Sequence, residues 1–213
     1  MNDTFSCRSC CCTRGKVILD LGIQPLANNL LRGEDLDKIE PKFPLRLFVC
    51  PDCWLLQITD LVPSNTLFSE YLYFSSFSDA MLEHARLAAG RYSKEFRLDG
   101  QSLVIEIASN DGYLLQNFQA AGIPCLGVEP ASNVAEIAKR KGIETLVEFF
   151  GADLAKTLAI NGKTADLVLG NNVFAHAPAI NDFVAGMSTI LKKSGTIVLE
   201  FPYALDLLED GEF

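Results

Sequence analysis

From Leu103 onward the chain alternates short apolar runs with longer amphipathic stretches, and few folds accept that rhythm. "LVIEI" (103–107), "CLGVE" (125–129), "ETLVE" (144–148), "DLVLGNN" (166–172) and "TIVLEF" (196–201) read as strands. The stretches near 113–121, 132–141, 151–160 and 179–192 read as helices. Almost wholly apolar strands lack the alternating polarity of a half-exposed sheet, so they belong to a parallel sheet covered on both faces. Joining parallel strands through helices requires right-handed crossovers, and the expected fold class is α/β, a doubly wound, Rossmann-like sheet.

Upstream the composition changes. Residues 1–65 are rich in Cys and Pro with short extended runs, and predict a small β-rich domain. Residues 66–98 predict a connection, in which Ser78 caps a helix over 79–96; residues 99–213 hold the sheet. Of seven cysteines, six lie in the first 53 residues. The seventh, Cys125, sits in an apolar stretch and reads as an inert core residue. Cys7-x-x-Cys10 and Cys50-x-x-Cys53 are metal-knuckle spacings, and the second, "CPDC", reads as a hairpin tip. Two such turns make a four-thiolate zinc site with no position open for water, a structural site and not a catalytic one. About 39 residues separate the knuckles, more than the roughly 15–20 of the usual spacing. Cys11 or Cys12 could replace Cys10 as the fourth ligand.

The carboxyl end of the first sheet strand carries the next constraint. In "IEIASNDGYLL" (105–115) a dinucleotide loop would want glycine at 108, 110 and 113, where the chain has Ala108, Asn110 and Tyr113. The form acid-x-Gly-x-Gly-x-Gly, used by methyltransferases, fits better: Glu106 is the acid, and Ala108, Asn110 and Gly112 take the glycine positions. Small residues let the backbone turn sharply near a ligand, and Asn tolerates a left-handed conformation. "CLGVEP" ends in Glu129 and Pro130, with Glu129 placed 23 residues after Glu106, where an acid can accept from ribose hydroxyls. Two acids suit a cationic sulfonium better than an anionic pyrophosphate, which favours S-adenosylmethionine over NAD. In "GNNVFAHAP", Asn171 and Asn172 end the fourth strand and can line the cofactor, while His176 lies beyond, toward a substrate, as an acid–base candidate. His84, mid-helix, reads as structural. Phe149 and Phe150 could pack on adenine, although core packing explains them better.

These pieces together resemble one family, the zinc-containing, S-adenosylmethionine-dependent C-methyltransferases of nucleotide-linked keto-deoxysugars. The resemblance rests on "CRSC", "DLGIQPLANNL", "PLRLFVCPDCWLLQI", "YLYFSSFSDAMLEHA", "EIASNDGYLL", "GVEPASNVAEIAKRKGIET", "NNVFAHAPAINDFVAG" and "GTIVLEFPY", in the family's order over nearly the whole chain. It implies a zinc-binding domain ahead of a class I methyltransferase domain, followed by a C-terminal domain that helps hold the nucleotide-sugar. It also implies a substrate-side tyrosine, Tyr73 by preference or Tyr71, and a role for the histidine at 176. After "EFPY" the family continues into a segment with further catalytic groups, so the sheet domain is expected to be incomplete at its C-terminus. The resemblance further implies loss of a proton beside the sugar ketone, with His176 and Tyr73 as the groups the sequence offers for the base and the enolate donor, in either order. Two other readings stay open: a methyltransferase for another small acceptor, and a non-catalytic fragment that binds zinc and cofactor.

The bulk numbers narrow the partners. A net charge of −9 without a basic cluster argues against nucleic acid. No apolar run approaches the roughly 18–20 residues that span a bilayer, and "MNDTFSCRSCC" lacks the build of a secretory signal. The expectation is therefore a cytoplasmic protein acting on a small molecule, with its oligomeric state open.

Overall fold

A computed structural model of the chain describes residues 5–27, 30–59, 61–68 and 72–211. It divides into two compact units, residues 1–67 and 68–213. In the first, β1 (Lys16–Pro25), β2 (Lys42–Val49) and β3 (Leu56–Ile58) form an antiparallel sheet in the order β1-β2-β3. β2 and β3 are the arms of a hairpin, and the Cys50–Cys53 turn is its tip. β1 is irregular against β2, with register shifts on either side of Leu19–Asp20. A short α1 (Ser64–Phe68) follows.

The second unit begins its regular structure with α2 (Asp79–Glu95), capped where Ser78 Oγ accepts from the Met81 amide at 3.3 Å. Ala85, Ala89 and Tyr92, spaced four and three apart, form its buried stripe. Then come β4 (Val104–Ile107), α3 (Leu115–Ala120), β5 (Cys125–Val128), α4 (Ser132–Arg140), β6 (Thr145–Leu146), α5 (Ala152–Ile160), β7 (Ala165–Asn171), α6 (Ile180–Ile190), β8 (Leu191–Glu200) and α7 (Ala204–Asp210). The five strands are all parallel, in the order β6-β5-β4-β7-β8. The chain winds outward from β4 through β5 to β6, crosses back, and winds the other way through β7 to β8. Its topological switch point lies between β4 and β7, and open α/β sheets bind ligands at the carboxyl ends of such strands.

Strand alternation sorts the core into two layers. Val104, Leu167 and Leu169 face α2 and α3, packing with Leu115, Phe118, Ile123 and Tyr92. Ile105, Ile107, Leu126, Val128 and Val168 face the other way, against Leu158, Phe183, Met187 and Ile190. By the same alternation Glu106 and Asn171 share the α2/α3 side of the sheet.

The structure departs from the sequence expectations in extent, not in order. β6 is two residues where "ETLVE" predicts five. α3 starts at Leu115 because residues 108–114 continue the loop after β4. β8 begins at Leu191, directly after α6, since Leu191 pairs with Ala165 before a register shift brings Thr196 opposite Leu167. No helix among the described residues is long and apolar enough to cross a membrane.

Candidate functional site

In the first unit the two knuckles are built alike. The Cys11 amide donates to the Cys7 carbonyl and the Trp54 amide to the Cys50 carbonyl, each at 2.9 Å. The Cys7 and Cys50 amides reach forward to the carbonyls of Cys12 and Leu55. In both, the residue after the second cysteine is left-handed: Cys11 has φ 61° and Trp54 φ 62°. Cys11 is exposed, and both it and Cys12 lie outside the four-sulfur group that could hold a metal ion. The sulfurs of Cys7, Cys10, Cys50 and Cys53 lie within 4.8 Å of one another, with Cys7–Cys53 and Cys10–Cys50 at 3.5 Å. A tetrahedral zinc with Zn–S of about 2.3 Å sets its sulfurs about 3.8 Å apart, so the donor set fits that ion. Burial raises the Cys7 thiol pKa, but the amides of Cys10 and Ser9 and the Gln57 side chain outweigh it and bring it down to about 6. Gln57 Nε2 donates to Cys7 Sγ at 3.3 Å while its Oε1 accepts from the Arg8 amide, as an outer partner that orients a ligand.

In the second unit the loop after β4 shows why the acid-x-Gly-x-Gly-x-Gly register applies. All three positions given to glycine have positive φ: Ala108 at 56°, Asn110 at 50° and Gly112 at 75°. A side chain at 112 would collide with Ile143 and Ala138. Ala108 and Asn110 take the left-handed turn against a cost of about 1–2 kcal/mol each. The Ala108 and Ser109 amides donate to the Val128 carbonyl, tying the loop to β5. Glu129, at the end of β5, accepts from the Asn110 amide through one oxygen and from the Ala131 amide through the other, both at 2.9 Å. Burial raises its pKa and those two amides oppose the rise. Pro130 sits half-buried in the same turn.

Beside this loop lies a set of buried polar atoms without a protein partner: both carboxylate oxygens of Glu106, Ser109 Oγ, Asp111 Oδ1 and Asn171 Oδ1. Buried polar groups are seldom left so, and they mark a place for a ligand or ion. All except the serine hydroxyl are acceptors, so the ligand must bring donors or positive charge. Burial, then the charges of Glu129 and Asp111, push the Glu106 carboxyl well above its ordinary pKa. A cationic ligand relieves that repulsion. The loop and its carboxylates thus fit S-adenosylmethionine, whose sulfonium and amino group are cationic and whose ribose hydroxyls are donors.

The remaining sequence candidates divide. Asn171 ends β7, its Nδ2 3.5 Å from the Tyr113 hydroxyl; Asn172 is left-handed, at φ 52°, and exposed. Asn172 Nδ2 donates to Glu200 Oε1 at 3.3 Å. His176 closes the 3-10 turn Phe174–His176, its ring 6.1 Å from that of Phe68, and desolvation lowers its pKa. Tyr73 is half exposed, and its carbonyl accepts from Asn110 Nδ2 at 3.1 Å. Tyr71 lies outside the described residues. Phe150 packs edge-on against Phe183 in the core, while Phe149 is exposed. Burial, then the charges of Glu106 and Glu144, push the Cys125 thiol up to about 11, and its Sγ lies 3.8 Å from the Leu115 carbonyl.

Sequence reasoning gave no role to three residues near the site, Tyr113, Asp111 and Glu200. Tyr113 is buried at the switch point, and burial, then Glu106, hold its hydroxyl well above the ordinary pKa. Asp111 is fully buried, with Lys141 3.6 Å from its carboxylate. Glu200 ends β8, and His84 of α2 lies 3.2 Å from it, exposed and paired across 116 positions of sequence. A polar residue closing an apolar strand was the one signal available, and it marks Glu200.

Comparison with known proteins agrees with this geometry. Residues 7–68 match the family model described as "Putative zinc binding domain", and residues 105–199 match one described as "Methyltransferase domain". The chain is 34% identical over 207 residues to the C-methyltransferase NovU of Streptomyces niveus, covering 97% of this chain and 49% of that protein. It is 25% identical over 95 residues to a ubiquinone biosynthesis O-methyltransferase of Bartonella quintana (strain Toulouse), covering 44% of this chain and 38% of that one. It therefore spans half or less of the length of these relatives. Among solved structures, an S-adenosylmethionine-dependent methyltransferase from Clostridium acetobutylicum ATCC 824 superposes with a TM-score of 0.50 at 14% identity, over 61% of this chain and 54% of that one. The chain thus joins a domain that matches a zinc-binding family model to a methyltransferase domain of class I fold.

Proposed function

We propose that the protein of which this chain forms at least part transfers a methyl group from S-adenosylmethionine to carbon, with a nucleotide-linked keto-deoxysugar as acceptor. The observation that carries the cofactor half is the set of unpartnered buried acceptors from Glu106, Asp111 and Asn171 beside a loop with three left-handed turns. The carbon and sugar halves rest on the likeness to NovU, a C-methyltransferase by name, and on the ordered motifs above. In this reading Glu106, Ala108, Asn110, Gly112, Glu129, Pro130, Asn171 and Asn172 hold the cofactor. Glu129 still has a lone pair on each oxygen for ribose hydroxyls. The bound cofactor supplies an electrophilic methyl group.

The chain's own part is to make a carbon nucleophile. A base removes the proton beside the ketone, and a donor stabilises the oxygen as it becomes an enolate. His176, kept neutral by desolvation, and Tyr73, beside the loop, are the groups for these tasks. The zinc in residues 1–65 serves folding, residues 66–98 form the connection, and residues 99–213 bind the cofactor.

Calorimetric titration of the zinc-loaded chain with S-adenosylmethionine, with NAD as control, tests the cofactor. Saturable binding of the first alone is expected, and binding of NAD alone would overturn the reading. Incubation with methyl-labelled cofactor and a nucleoside-diphosphate 4-keto-deoxysugar tests the reaction. Label on a sugar carbon supports the proposal, and label on oxygen or nitrogen removes it.

A further inference from the structure

The cofactor loop does something beyond turning. Residues 73–76 lie directly on it, joined by the side chains of Asn110 and Asp111. The Ser75 amide donates to Asn110 Oδ1 at 3.0 Å, and Asn110 Nδ2 donates back to the Tyr73 carbonyl at 3.1 Å. The Ser76 amide donates to Asp111 Oδ2 at 3.4 Å, and the Ser76 hydroxyl donates to the same oxygen. Asp111 is itself fixed, fully buried, with Lys141 Nζ donating to its carbonyl at 2.9 Å. Ser75 and Asn110 are buried as well. One amide side chain thus presents both its acceptor and its donor to a segment 35 to 37 positions away, as a neighbouring strand would.

This explains why Asn stands where the loop template asks for glycine. At φ 50° glycine would take the turn without strain. It would also leave the Ser75 amide and the Tyr73 carbonyl without these partners, and buried backbone groups need partners. Asparagine tolerates the left-handed turn and ties the two segments together.

We propose that Asn110 and Asp111 are positioning residues that clamp segment 73–76 to the cofactor loop, so that the methyl donor and the acceptor-side Tyr73 are set in register by one device. The proposal rests on the reading of the loop as cofactor-binding and of Tyr73 as acceptor-side. Filling the loop then orders the segment, and the acceptor binds more tightly once the cofactor is in place. The clamp itself exists without ligand, so its failure and the failure of the functional reading can be told apart.

The test is amide hydrogen exchange on the zinc-loaded chain, read at Ser75, Ser76 and, as a fold control, at Val104–Ile107. Without ligand, Asn110→Gly is expected to speed exchange at Ser75 about tenfold, the worth of one or two neutral hydrogen bonds, with the β4 amides unchanged. S-adenosylhomocysteine is expected to slow exchange at Ser75 and Ser76 in the native chain and to lose that effect in Asn110→Gly. Equal exchange at Ser75 in both proteins, or ligand-induced protection at 75–76 that survives the substitution, overturns the clamp. Ser76→Ala deletes one bond to Asp111 outside the loop, so it decides the matter if the loop variant does not fold. The backbone amide at position 76 keeps only its own long bond to Asp111, 3.4 Å, so its exchange is expected to quicken selectively, and unchanged exchange there overturns the proposal. If the native chain binds no S-adenosylhomocysteine the functional reading falls, and the ligand-free comparison still decides the clamp.

Discussion

The two units hold themselves together by different means. Residues 68–213 bury two layers of aliphatic and aromatic side chains against a parallel sheet. Among the described residues of 1–67, the buried apolar side chains are Cys7, Phe48 and Cys50, and two of those three are proposed metal ligands. Val17, Ile18, Leu21 and Ile23 of β1 stay exposed. A sheet of three strands with so little buried area does not offset the entropy of ordering its chain. The lesson is that a tetrathiolate stands in for a hydrophobic core, whereas the second unit has a core and can spend polar residues on a site.

Metal removal should break the comparison most visibly. Structural zinc contributes roughly 10–16 kcal/mol of apparent binding energy at pH 7, so chelation is expected to abolish amide protection in β1–β3. Protection in β4–β8 should persist. Exchange mapped by mass spectrometry before and after chelation checks this; protection retained in β2 and β3 without metal would count against a metal-built unit. Cys10→Ser should act in the same way, with zinc content falling below one equivalent.

Within the second unit, Glu106 is where site and stability conflict. Its folded pKa is raised, so the folded chain keeps the proton to higher pH than the unfolded chain does. Stability therefore declines as pH rises from the ordinary carboxyl pKa, 4.5, through the folded one. Glu106→Gln removes that penalty. At pH 8 the ligand-free variant is expected to gain about 1 kcal/mol, yet to bind S-adenosylmethionine at least about tenfold more weakly. Thermal melts at pH 4 and pH 8, with and without ligand, separate the two effects. A variant less stable than the native chain at pH 8 would show the buried carboxylate to be structural.

His176 gives a subtler pH effect. Desolvation lowers its pKa below 6.5, so the neutral imidazole persists into mildly acid solution and is lost as pH falls through the lowered value. If it acts as the base, kcat/KM of the complete enzyme should show an acid limb below pH 6.5. Removing the side chain should abolish that limb and reduce kcat by about 10²–10⁴. An acid limb that survives His176→Ala assigns the base elsewhere.

How much of this is legible in the sequence follows from where the determinants sit. Strands β4, β5 and β7 are plain because burial on both faces keeps them mostly apolar, with Glu106 in β4 and Asp166 and Asn171 in β7 as the polar exceptions. β6 reads too long because "ETLVE" has a strand's composition but only Thr145 and Leu146 reach the β5 ladder. The loop register is readable from Glu106 and Glu129, since an acid at a strand end keeps its meaning in one dimension. The surroundings of Tyr113 and Asp111 and the pairing of His84 with Glu200 are not, because the partners arrive through crossovers: 116 positions separate His84 from Glu200. The choice among Cys10, Cys11 and Cys12 is hidden for another reason. It depends on one backbone angle, and composition does not report it.

That angle supports the smallest and sharpest prediction. Both units place non-glycine residues in left-handed turns, at Cys11 and Trp54 in the knuckles and at Ala108 and Asn110 in the loop. At Asn110 the side chain holds segment 73–76, so glycine there should relieve strain and still loosen the site. At Cys11 the side chain is exposed and lies outside the four-sulfur cluster, so glycine should only relieve strain. Cys11→Gly is therefore expected to keep a full equivalent of zinc and to raise the stability of the first unit by about 0.5–1 kcal/mol. Zinc titration and denaturant unfolding of the variant check both halves. If zinc is lost, Cys11 is a ligand and the knuckle geometry has been misassigned. If zinc is kept and stability rises, identical backbone strain serves turn closure in one unit and side-chain recognition in the other.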